Sequence, residues 1–350
     1  MASFLAPRSL RRAAAASVLA LLAASSGGAC TVFNDLELPK DAGADAGFTP
    51  FEPAYLSVDQ AARVCRWASE CDRLAPSVAM SIGLPLDPDN FSECLHWLAG
   101  PLPKNRPGTQ VQTEMLAAVA EATSCDDALS RVFFEVLGDA DPRCAGTPTP
   151  TCLDSKTAVQ CKDRRLTRCD SPRFVAGSSC QEIVDKGDPV GACVTGTCSD
   201  LALQCEGGVF SACTGGHLIE APCATIGMTC WGADPGICGP SSSKKPTACL
   251  LDQLGASQCA EGERAQICNG VQFVEYWCGA ADATCVEEQS TARCVPYTPA
   301  CSPFDADTNV CDGDHLAVCI GGQKTAVDCA ALDLRCAPPE GARTARCATK

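Results

Sequence analysis

The chain has 350 residues, of which 29 are cysteine and only 5% are aromatic. Its formal net charge of −15 disfavours nucleic acid and anionic membrane surfaces as partners, because both repel an acidic protein. Cysteine at this density is typical of disulfide scaffolds and argues against residence in a reducing cytosol. The sequence contains no nucleotide-binding, serine-hydrolase or zinc-protease motif, and it indicates no cofactor.

The first thirty residues have the layout of a secretory leader. Three arginines precede an apolar run at positions 13–24, and small residues follow up to Cys30. The run is about half of the roughly 20 residues that a membrane-spanning helix needs, so we expect residues 1–29 to be removed as a signal peptide. Gly28-Ala29-Cys30 resembles the end of a bacterial lipobox, although Gly27 stands where leucine is usual. The resemblance implies that Cys30 is lipidated; ordinary cleavage that leaves it as a thiol is the alternative.

Lipidation of Cys30 also resolves the odd cysteine count, because it leaves an even number for disulfide pairing. Residues 30–50 are small and acidic, with too little apolar surface to pack, and they predict a lipid-anchored flexible tether. Thr31 is not the aspartate that retains some bacterial lipoproteins in the inner membrane. The hypothesis is therefore an outer-membrane or cell-surface location.

Residues 51–146 predict a helical domain of four helices, from their apolar spacing. The first and fourth helices are expected to be capped by Ser57 and Ser124, and the second and third are expected to begin at Asp89 and Val111.

The cysteines of this helical domain are expected to cross-link different helices. Cys65 and Cys71 on one helix would lie about 9 Å apart, which is beyond disulfide reach. Each is therefore expected to bond either Cys94 or Cys125.

From residue 147 onwards cysteine sets the periodicity, which predicts four tandem repeats at 147–194, 195–240, 241–296 and 297–350. The expected fold class is therefore small and disulfide-rich, an α-helical N-terminal bundle followed by four tandem β-hairpin cysteine-rich repeats. A unit of this size cannot build a sufficient apolar core, so disulfides are expected to replace it. The repeat cysteines are Cys152, Cys161, Cys169, Cys180, Cys193, then Cys198, Cys205, Cys213, Cys223, Cys230, Cys238, then Cys249, Cys259, Cys268, Cys278, Cys285, Cys294, then Cys301, Cys311, Cys319, Cys329, Cys336 and Cys347.

Each repeat is expected to contain a β-hairpin around its third cysteine. In the third repeat Asn269-Gly270 predicts a two-residue turn, because both positions tolerate positive φ. Strand alternation places Tyr276 on the face of Cys278 and Trp277 on the opposite face.

The first repeat has five cysteines where the others have six. Aligning Cys193 with the sixth position leaves the fifth position empty and one cysteine without a partner. We predict that Cys144 bonds this cysteine and locks the helical domain onto the first repeat.

Metal sites find little support in the cysteine and acid spacing. Zinc, iron–sulfur and thioredoxin-like sites need closely spaced pairs, and no Cys-x-x-Cys occurs. Asp305, Asp307 and Asn309 alternate as in a calcium loop. Because Val310 and Leu316 stand where an EF-hand needs glycine and glutamate, a solvated acidic loop is the preferred interpretation.

One helical pair, Glu93 and His96, has the Glu-x-x-His spacing of di-iron bundles. Such bundles need a second copy and further glutamates. His96 is therefore expected to be a residue of the helix surface or core edge.

Three aromatic residues, Trp231, Tyr276 and Trp277, are the candidate ligand-binding residues, since aromatic faces can stack on sugars. The six-cysteine units resemble peritrophin-type chitin-binding modules, which implies a carbohydrate partner. Packing of these rings around the disulfides is the preferred alternative.

Leader, tether and cysteine arrays together resemble cysteine-rich surface lipoproteins of the myxobacterial type. The resemblance implies an exported envelope protein without a known reaction. The leading hypothesis is a non-enzymatic, membrane-tethered structural or adhesion module whose disulfide units project from a helical base, with a surface protein or polysaccharide as possible partner. The alternatives are a cell-wall carbohydrate-binding protein and a hydrolase with an unidentified site in a cleft of the helical domain.

Overall fold

The computed structural model describes residues 52–350 apart from short gaps. The gaps are residues 54, 103–108, 146–150, 163, 186–187, 200–202, 227, 232–235, 240–248, 250–252, 254, 262, 269–272, 279–282, 289–290 and 297–298. The predicted leader, the tether, Cys30 and the turn at 269–270 lie outside the described residues. No helix in the described part of the chain has the length and apolar character that crossing a bilayer requires.

The N-terminal part is helical, as predicted. Its elements are β1 (Glu52–Pro53), α1 (Val58–Glu70), α2 (Leu74–Ile82), α3 (Phe91–Ala99), β2 (Pro101–Leu102), α4 (Thr109–Ala120), α5 (Cys125–Ser130) and β3 (Phe134–Val136). Ser57 caps α1 with Gln60 in a capping box, and Asn90 and Ser124 cap α3 and α5.

The helical part has five helices where the sequence predicted four. The difference arises because α1 ends at Glu70, Cys71 adopts an extended conformation, and a separate helix begins at Leu74. Pro76 lies in the first turn of α2, where proline is tolerated because the N–H it lacks has no helical partner.

Two disulfides cross-link the helices, and both follow the predicted rule. Cys65 bonds Cys94 and Cys71 bonds Cys125, with Cα–Cα distances of 5.8 and 5.6 Å. The first bond joins α1 to α3, and the second joins the end of α1 to the start of α5. Apolar side chains of all five helices pack around these bonds in one core.

Four cysteine-rich units follow, and each contains an antiparallel sheet and then a two-stranded hairpin. The sheet has three strands in the third and fourth units, whereas a short strand at Gly196–Thr197 adds a fourth in the second unit and β3 adds a fourth in the first. The first unit has β4 (Thr151–Asp154), β5 (Thr157–Gln160), β6 (Arg165–Arg168), β7 (Ser179–Asp185) and β8 (Asp188–Val194); the second has β9 (Gly196–Thr197), β10 (Gln204–Glu206), β11 (Val209–Thr214), β12 (His217–Pro222), β13 (Thr229–Trp231) and β14 (Ile237–Gly239); the third has β15 (Ser257–Ala260), β16 (Arg264–Cys268), β17 (Phe273–Trp277), β18 (Ala283–Glu288) and β19 (Thr291–Pro296); the fourth has β20 (Val310–Asp312), β21 (His315–Ile320), β22 (Gln323–Asp328), β23 (Leu334–Ala337) and β24 (Arg346–Thr349).

All four units share one disulfide connectivity, in which the first cysteine bonds the third, the second bonds the fifth, and the fourth bonds the sixth. The first-to-third bonds are Cys144–Cys161, Cys198–Cys213, Cys249–Cys268 and Cys301–Cys319. The second-to-fifth bonds are Cys152–Cys180, Cys205–Cys230, Cys259–Cys285 and Cys311–Cys336. The fourth-to-sixth bonds are Cys169–Cys193, Cys223–Cys238, Cys278–Cys294 and Cys329–Cys347.

This connectivity corrects the interpretation of the first unit. Cys144 does bond a cysteine of the first repeat, Cys161, so a disulfide joins the predicted helical range to that repeat. It does so as the first cysteine of the unit, however, so the fifth position is not empty. In the hairpin of β7 and β8, Cys180 lies opposite Cys193, as the fifth cysteine lies opposite the sixth in the other units. The alignment failed because Cys169 and Cys180 are 11 positions apart, against 7 for the fourth and fifth cysteines elsewhere.

Strand β3 joins the helical domain to the first unit. It extends the sheet of that unit in the order β3-β6-β5-β4. Its middle residue, the buried Glu135, forms ion pairs with Arg73, Arg143 and Arg168. A shared sheet and an ion-pair cluster therefore join the helical domain to the first unit in addition to the Cys144–Cys161 disulfide.

The units pack against the helices instead of projecting from them. Strand β21 of the fourth unit packs on α3, and β24 packs on α1. Buried residues from the second, third and fourth units, among them Met228, Ile267 and Leu316, belong to the same apolar core as the helices. The expected projection of the units from a helical base is therefore wrong.

Candidate functional site

Helix α3 carries three polar side chains that are buried between the helical domain and the third and fourth units. They are Ser92, Glu93 and His96, and each contacts a group from outside the helical domain. Helix α3 has nine residues and only Ala99 among them is not buried. The polar residues on α3 therefore face other parts of the protein instead of water.

Glu93 is the acid among these three residues, and it is fully buried, with 0% of its surface exposed. Its Oε1 accepts a hydrogen bond of 3.1 Å from Trp97 Nε1, and its Oε2 lies 3.5 Å from Arg293 Nη1. Burial raises the pKa of Glu93 to about 7, while Arg293 and the Trp97 hydrogen bond act in the opposite direction. Ionisable groups with pKa values near neutrality are common at functional sites, which makes Glu93 a candidate.

Arg293 comes from β19 of the third unit and is only 2% exposed. Besides approaching Glu93, it pairs with Glu288 through Nη2 and donates to Ser302 Oγ at 3.1 Å. Its guanidinium also lies 4.9 Å from the centre of the Phe304 ring, within cation–π range. One arginine thus serves two carboxylates, so the group of three carries a net negative charge when both acids are ionised.

His96 is held by backbone groups of two units. Gly321 N–H approaches Nδ1 at 3.3 Å, and Nε2 lies 3.0 Å from the carbonyl oxygen of Cys294. This arrangement suits a neutral ring with its proton on Nε2, which donates to Cys294. Burial, and then Arg293, lower the pKa of His96 to about 4. With 5% of its surface exposed, His96 is more deeply buried than the predicted surface or core-edge position.

Asn309 connects the fourth unit to the start of α3. Its Oδ1 accepts from the N–H of Ser92 at 2.9 Å, and its Nδ2 donates to Asn90 Oδ1 at 3.2 Å and to the carbonyl oxygen of Pro303 at 3.0 Å. Its φ of 55° lies in the left-handed region, which asparagine tolerates better than most residues.

The three calcium candidates are each used in contacts within the protein. Asp305 Oδ2 accepts from the N–H of Ser302 at 2.7 Å, Asp307 pairs with Lys324, and Asn309 is bonded to α3. The calcium hypothesis itself stays a prediction.

A cleft of about 290 Å³ lies beside Glu93. Its walls come from α2 (Ala75, Pro76 and Ala79), from residues 85–88, and from Gly255 and Thr291 of the third unit. Two acids, Asp87 and Glu93, are its only charged lining residues in the described part of the chain. The cleft therefore combines an apolar wall with negative charge.

The hydrolase hypothesis required a cleft with carboxylates at the helical domain, and this cleft meets that description. A general acid must, however, reach the substrate atom that it protonates. Glu93 has no exposed surface, and its two oxygens face Trp97 and Arg293. The arrangement is therefore better suited to stabilising the fold than to proton transfer.

The predicted aromatic residues lie on different sheets. Trp231 ends β13 of the second unit and is half-buried, with a contact to the rest of the protein. Tyr276 and Trp277 lie on β17 of the third unit, opposite Ala265 and Arg264 in the register of the sheet. The faces on which these two rings lie and a shared sugar-binding surface stay predictions.

Three sulfur atoms of the second unit lie within 4.8 Å of one another, those of Cys205, Cys223 and Cys230. Cys205 bonds Cys230, and Cys223 bonds Cys238. Because a thiolate is the form that ligates metal, disulfide-bonded sulfur does not make this cluster a metal site.

Sequence reasoning singled out Glu93 and His96 but missed Arg293 as their partner. Arg293 lies 200 positions away in another unit, so spacing along the chain carries no sign of it. The available signal was three polar residues on one face of an otherwise apolar helix. No known protein family, curated protein or solved structure matches the chain.

Proposed function

We propose that this chain is an exported, lipid-anchored cell-envelope protein that acts as a structural or adhesion module without catalysis. The supporting observation is the common disulfide connectivity of the four units. With the two disulfides of the helical part, the described residues contain fourteen disulfides, which need an oxidising environment to form and persist. Two features of the sequence, the leader and Cys30, support export and anchoring.

The complete burial of Glu93 supports a non-enzymatic role. Among the described residues, the acid whose pKa is raised to about 7 is Glu93, which is fully buried and faces Arg293. A stabilised scaffold explains such a group without requiring a substrate, because buried charges are normally paired.

Mass spectrometry of the mature protein, purified from a bacterium that processes lipoproteins, tests the anchor. We expect Cys30 as the N-terminal residue with lipid attached and no free thiol under denaturing, non-reducing conditions. The matched control is Cys30→Ser, which should leave the disulfides intact and release the protein from the membrane fraction. A mature N-terminus without lipid would overturn the proposal.

Fractionation tests the proposed outer-membrane location. We expect the protein in the outer-membrane fraction, and Thr31→Asp should move it to the inner membrane, since aspartate after the lipidated cysteine acts as a retention signal in some bacteria. An unmodified chain that already sedimented with the inner membrane would contradict this location.

Carbohydrate binding is the second candidate, supported by the half-buried Trp231 on β13 and by Tyr276 and Trp277 on β17. Pull-down with cell-wall polysaccharide or chitin should lose its signal on Trp231→Ala or Trp277→Ala. The control Trp231→Phe keeps an aromatic face and should retain most of the signal. Absence of binding to every polysaccharide would exclude this candidate.

A further inference from the structure

Two disulfides of the second unit, Cys205–Cys230 and Cys223–Cys238, lie against each other. The sulfur atoms of Cys205, Cys223 and Cys230 are within 4.8 Å of one another. Cys230 also lies opposite Cys238 in the register of β13 and β14. Cys205 Sγ is 3.2 Å from the carbonyl oxygen of Ile237, the residue before Cys238. All four cysteines of the two bonds are therefore neighbours.

This proximity distinguishes the second unit from the others. In the part of the chain that the structure describes, no other unit brings three sulfur atoms within that distance of one another. The matching second-to-fifth bonds of the third and fourth units, Cys259–Cys285 and Cys311–Cys336, are half-buried, as Cys205–Cys230 is. All three bonds are thus partly exposed to a reagent, and the neighbouring third sulfur atom is what sets the second unit apart.

Burial separates the two bonds of the second unit. Cys205 and Cys230 are half-buried, so a small thiol can reach the bond between them. Cys223 is 0% exposed and Cys238 is 5% exposed. A thiolate breaks a disulfide by attacking one of its sulfur atoms, which requires access to that atom. In the folded protein, Cys223 Sγ is therefore within reach of a thiolate of the protein itself and closed to an external one.

We propose that the second unit is a site of thiol–disulfide exchange, in which an external small-molecule thiol opens Cys205–Cys230 and the released protein thiolate attacks Cys223. External attack on Cys205 releases Cys230, and external attack on Cys230 releases Cys205. Either released sulfur lies within 4.8 Å of Cys223 Sγ. Both routes therefore form a new bond to Cys223.

The steps balance without net oxidation or reduction. The external thiolate bonds to Cys205 Sγ, and the electron pair of the broken bond leaves on Cys230 as a thiolate. That thiolate bonds to Cys223 Sγ and expels Cys238 as a thiolate. The Cys238 thiolate then displaces the external thiol from Cys205. The products are the pairs Cys205–Cys238 and Cys223–Cys230, and the external thiolate is regenerated.

The position of Cys223 gives the exchange a structural consequence. Cys223 begins the 3-10 turn Cys223–Ile226, which packs on α4. Together with Cys238, it belongs to the apolar core that the unit shares with the helices. A change of partner at Cys223 therefore acts where the second unit meets the helical domain. The proposal goes beyond the role given under Proposed function and does not depend on the lipid anchor.

Disulfide mapping of the mature protein after incubation with 2-mercaptoethanol tests the proposal. At about pH 8, near the usual pKa of a thiol, and without denaturant, we expect peptides that link Cys223 to Cys205 or Cys230. Their fraction should be at least tenfold larger than that of the matching links in the third unit, from Cys278 to the second or fifth cysteine of that unit. Equal relinking in both units, or no relinking at Cys223, would overturn the proposal.

A variant shows the internal step without any external thiol. In Cys238→Ser, the unpaired Cys223 thiol lies within 4.8 Å of both sulfur atoms of the Cys205–Cys230 bond, so we expect the free thiol on all three of these cysteines. The matched control is Cys294→Ser, in which the thiol should stay on Cys278. Maleimide labelling in acid, followed by peptide mapping, locates the thiol and checks that the other disulfides are native. Confinement of the thiol to Cys223, or equal spreading in the control, would refute the exchange.

Discussion

Glu93 and His96 lie one turn apart on α3, and burial shifts their pKa values in opposite directions. The pKa of Glu93 rises to about 7 and that of His96 falls to about 4. Native Glu93 keeps a proton that the unfolded chain loses above about pH 4.5, so its contribution to stability falls as the pH rises through 4.5–7. In the unfolded chain His96 binds a proton below about pH 6.5, whereas the native ring stays neutral down to about pH 4. The contribution of His96 to the free energy of unfolding therefore rises with pH between 4 and 6.5.

The two slopes oppose each other between pH 4.5 and 6.5, and single variants should separate them. Relative to the unmodified protein, the free energy of unfolding of Glu93→Gln should gain about 1.4 kcal/mol per pH unit as the pH rises, because only the histidine effect remains. His96→Gln should show the reverse trend. Urea unfolding at pH 4.5, 5.5 and 6.5, with disulfides intact, measures both. Parallel pH profiles for all three proteins would contradict the assignment.

Asn309 combines a left-handed backbone with side-chain bonds to the start of α3. We expect Asn309→Gly to lower the free energy of unfolding by roughly 3 kcal/mol, about 1 kcal/mol for each lost hydrogen bond. Asn309→Ala should cost about 1 kcal/mol more, since alanine, unlike glycine, is strained at positive φ. Denaturant unfolding of the two variants compares them. Equal stability of the two would show that the backbone conformation contributes nothing.

At the scale of elements, β3 is bonded to a sheet on one edge and to a helix on the other. Its partner in the sheet is β6. On the opposite edge, the N–H of Phe134 donates to Ser81 Oγ at 3.0 Å and the N–H of Val136 donates to Ser77 Oγ at 2.9 Å. Two serines of α2 thus take the place of a neighbouring strand, which satisfies backbone groups that would otherwise be buried without partners.

Removing either serine hydroxyl should therefore be costly. Ser77→Ala and Ser81→Ala should each lower the free energy of unfolding by about 1–3 kcal/mol, because each leaves a buried N–H without an acceptor. Ser69→Ala is the control: Ser69 is buried as well, but its hydroxyl donates only to Arg66 O within the same helix. Thermal or urea unfolding provides the comparison. A loss for Ser69→Ala as large as for the other two would refute the role of the serines.

At the scale of the molecule, three of the four cysteine-rich units share the apolar core of the helical domain, whereas the first unit has small clusters of its own. Apolar residues of the second, third and fourth units join the cluster that the helices form. The first unit is attached through β3 and the ion pairs of Glu135. Disulfides hold each unit together, and packing on the helices fixes the units relative to one another.

This arrangement predicts a compact particle. Small-angle X-ray scattering of the oxidised protein should give a radius of gyration of roughly 20 Å, the value for a compact chain of this length. A linear array of units on a helical base would give roughly 30 Å or more. The larger value, measured on monodisperse protein, would show that the units do not pack back onto the helices.

Local features of the chain predicted the fold class and much of the secondary structure. Serine caps, hairpin periodicity and cysteine spacing depend on neighbouring residues, so the disulfide-rich class, the helical start and the hairpin units could be predicted from the sequence. The geometry of one helix also limited the partners of Cys65 and Cys71 to Cys94 and Cys125, and the structure decided which cysteine bonds which. The division of α1 from α2 was missed, because residues 71–73 contain no glycine or proline that would mark the end of a helix.

Features that depend on distant residues were accessible only from the packed molecule. The role of Cys144 as a first cysteine depends on which strands pair, and the longer interval before Cys180 concealed it. The pairing of Glu93 with Arg293 joins residues 200 positions apart. Contacts of this kind arise when buried surfaces meet, and neither composition nor spacing along the chain encodes which surfaces those are.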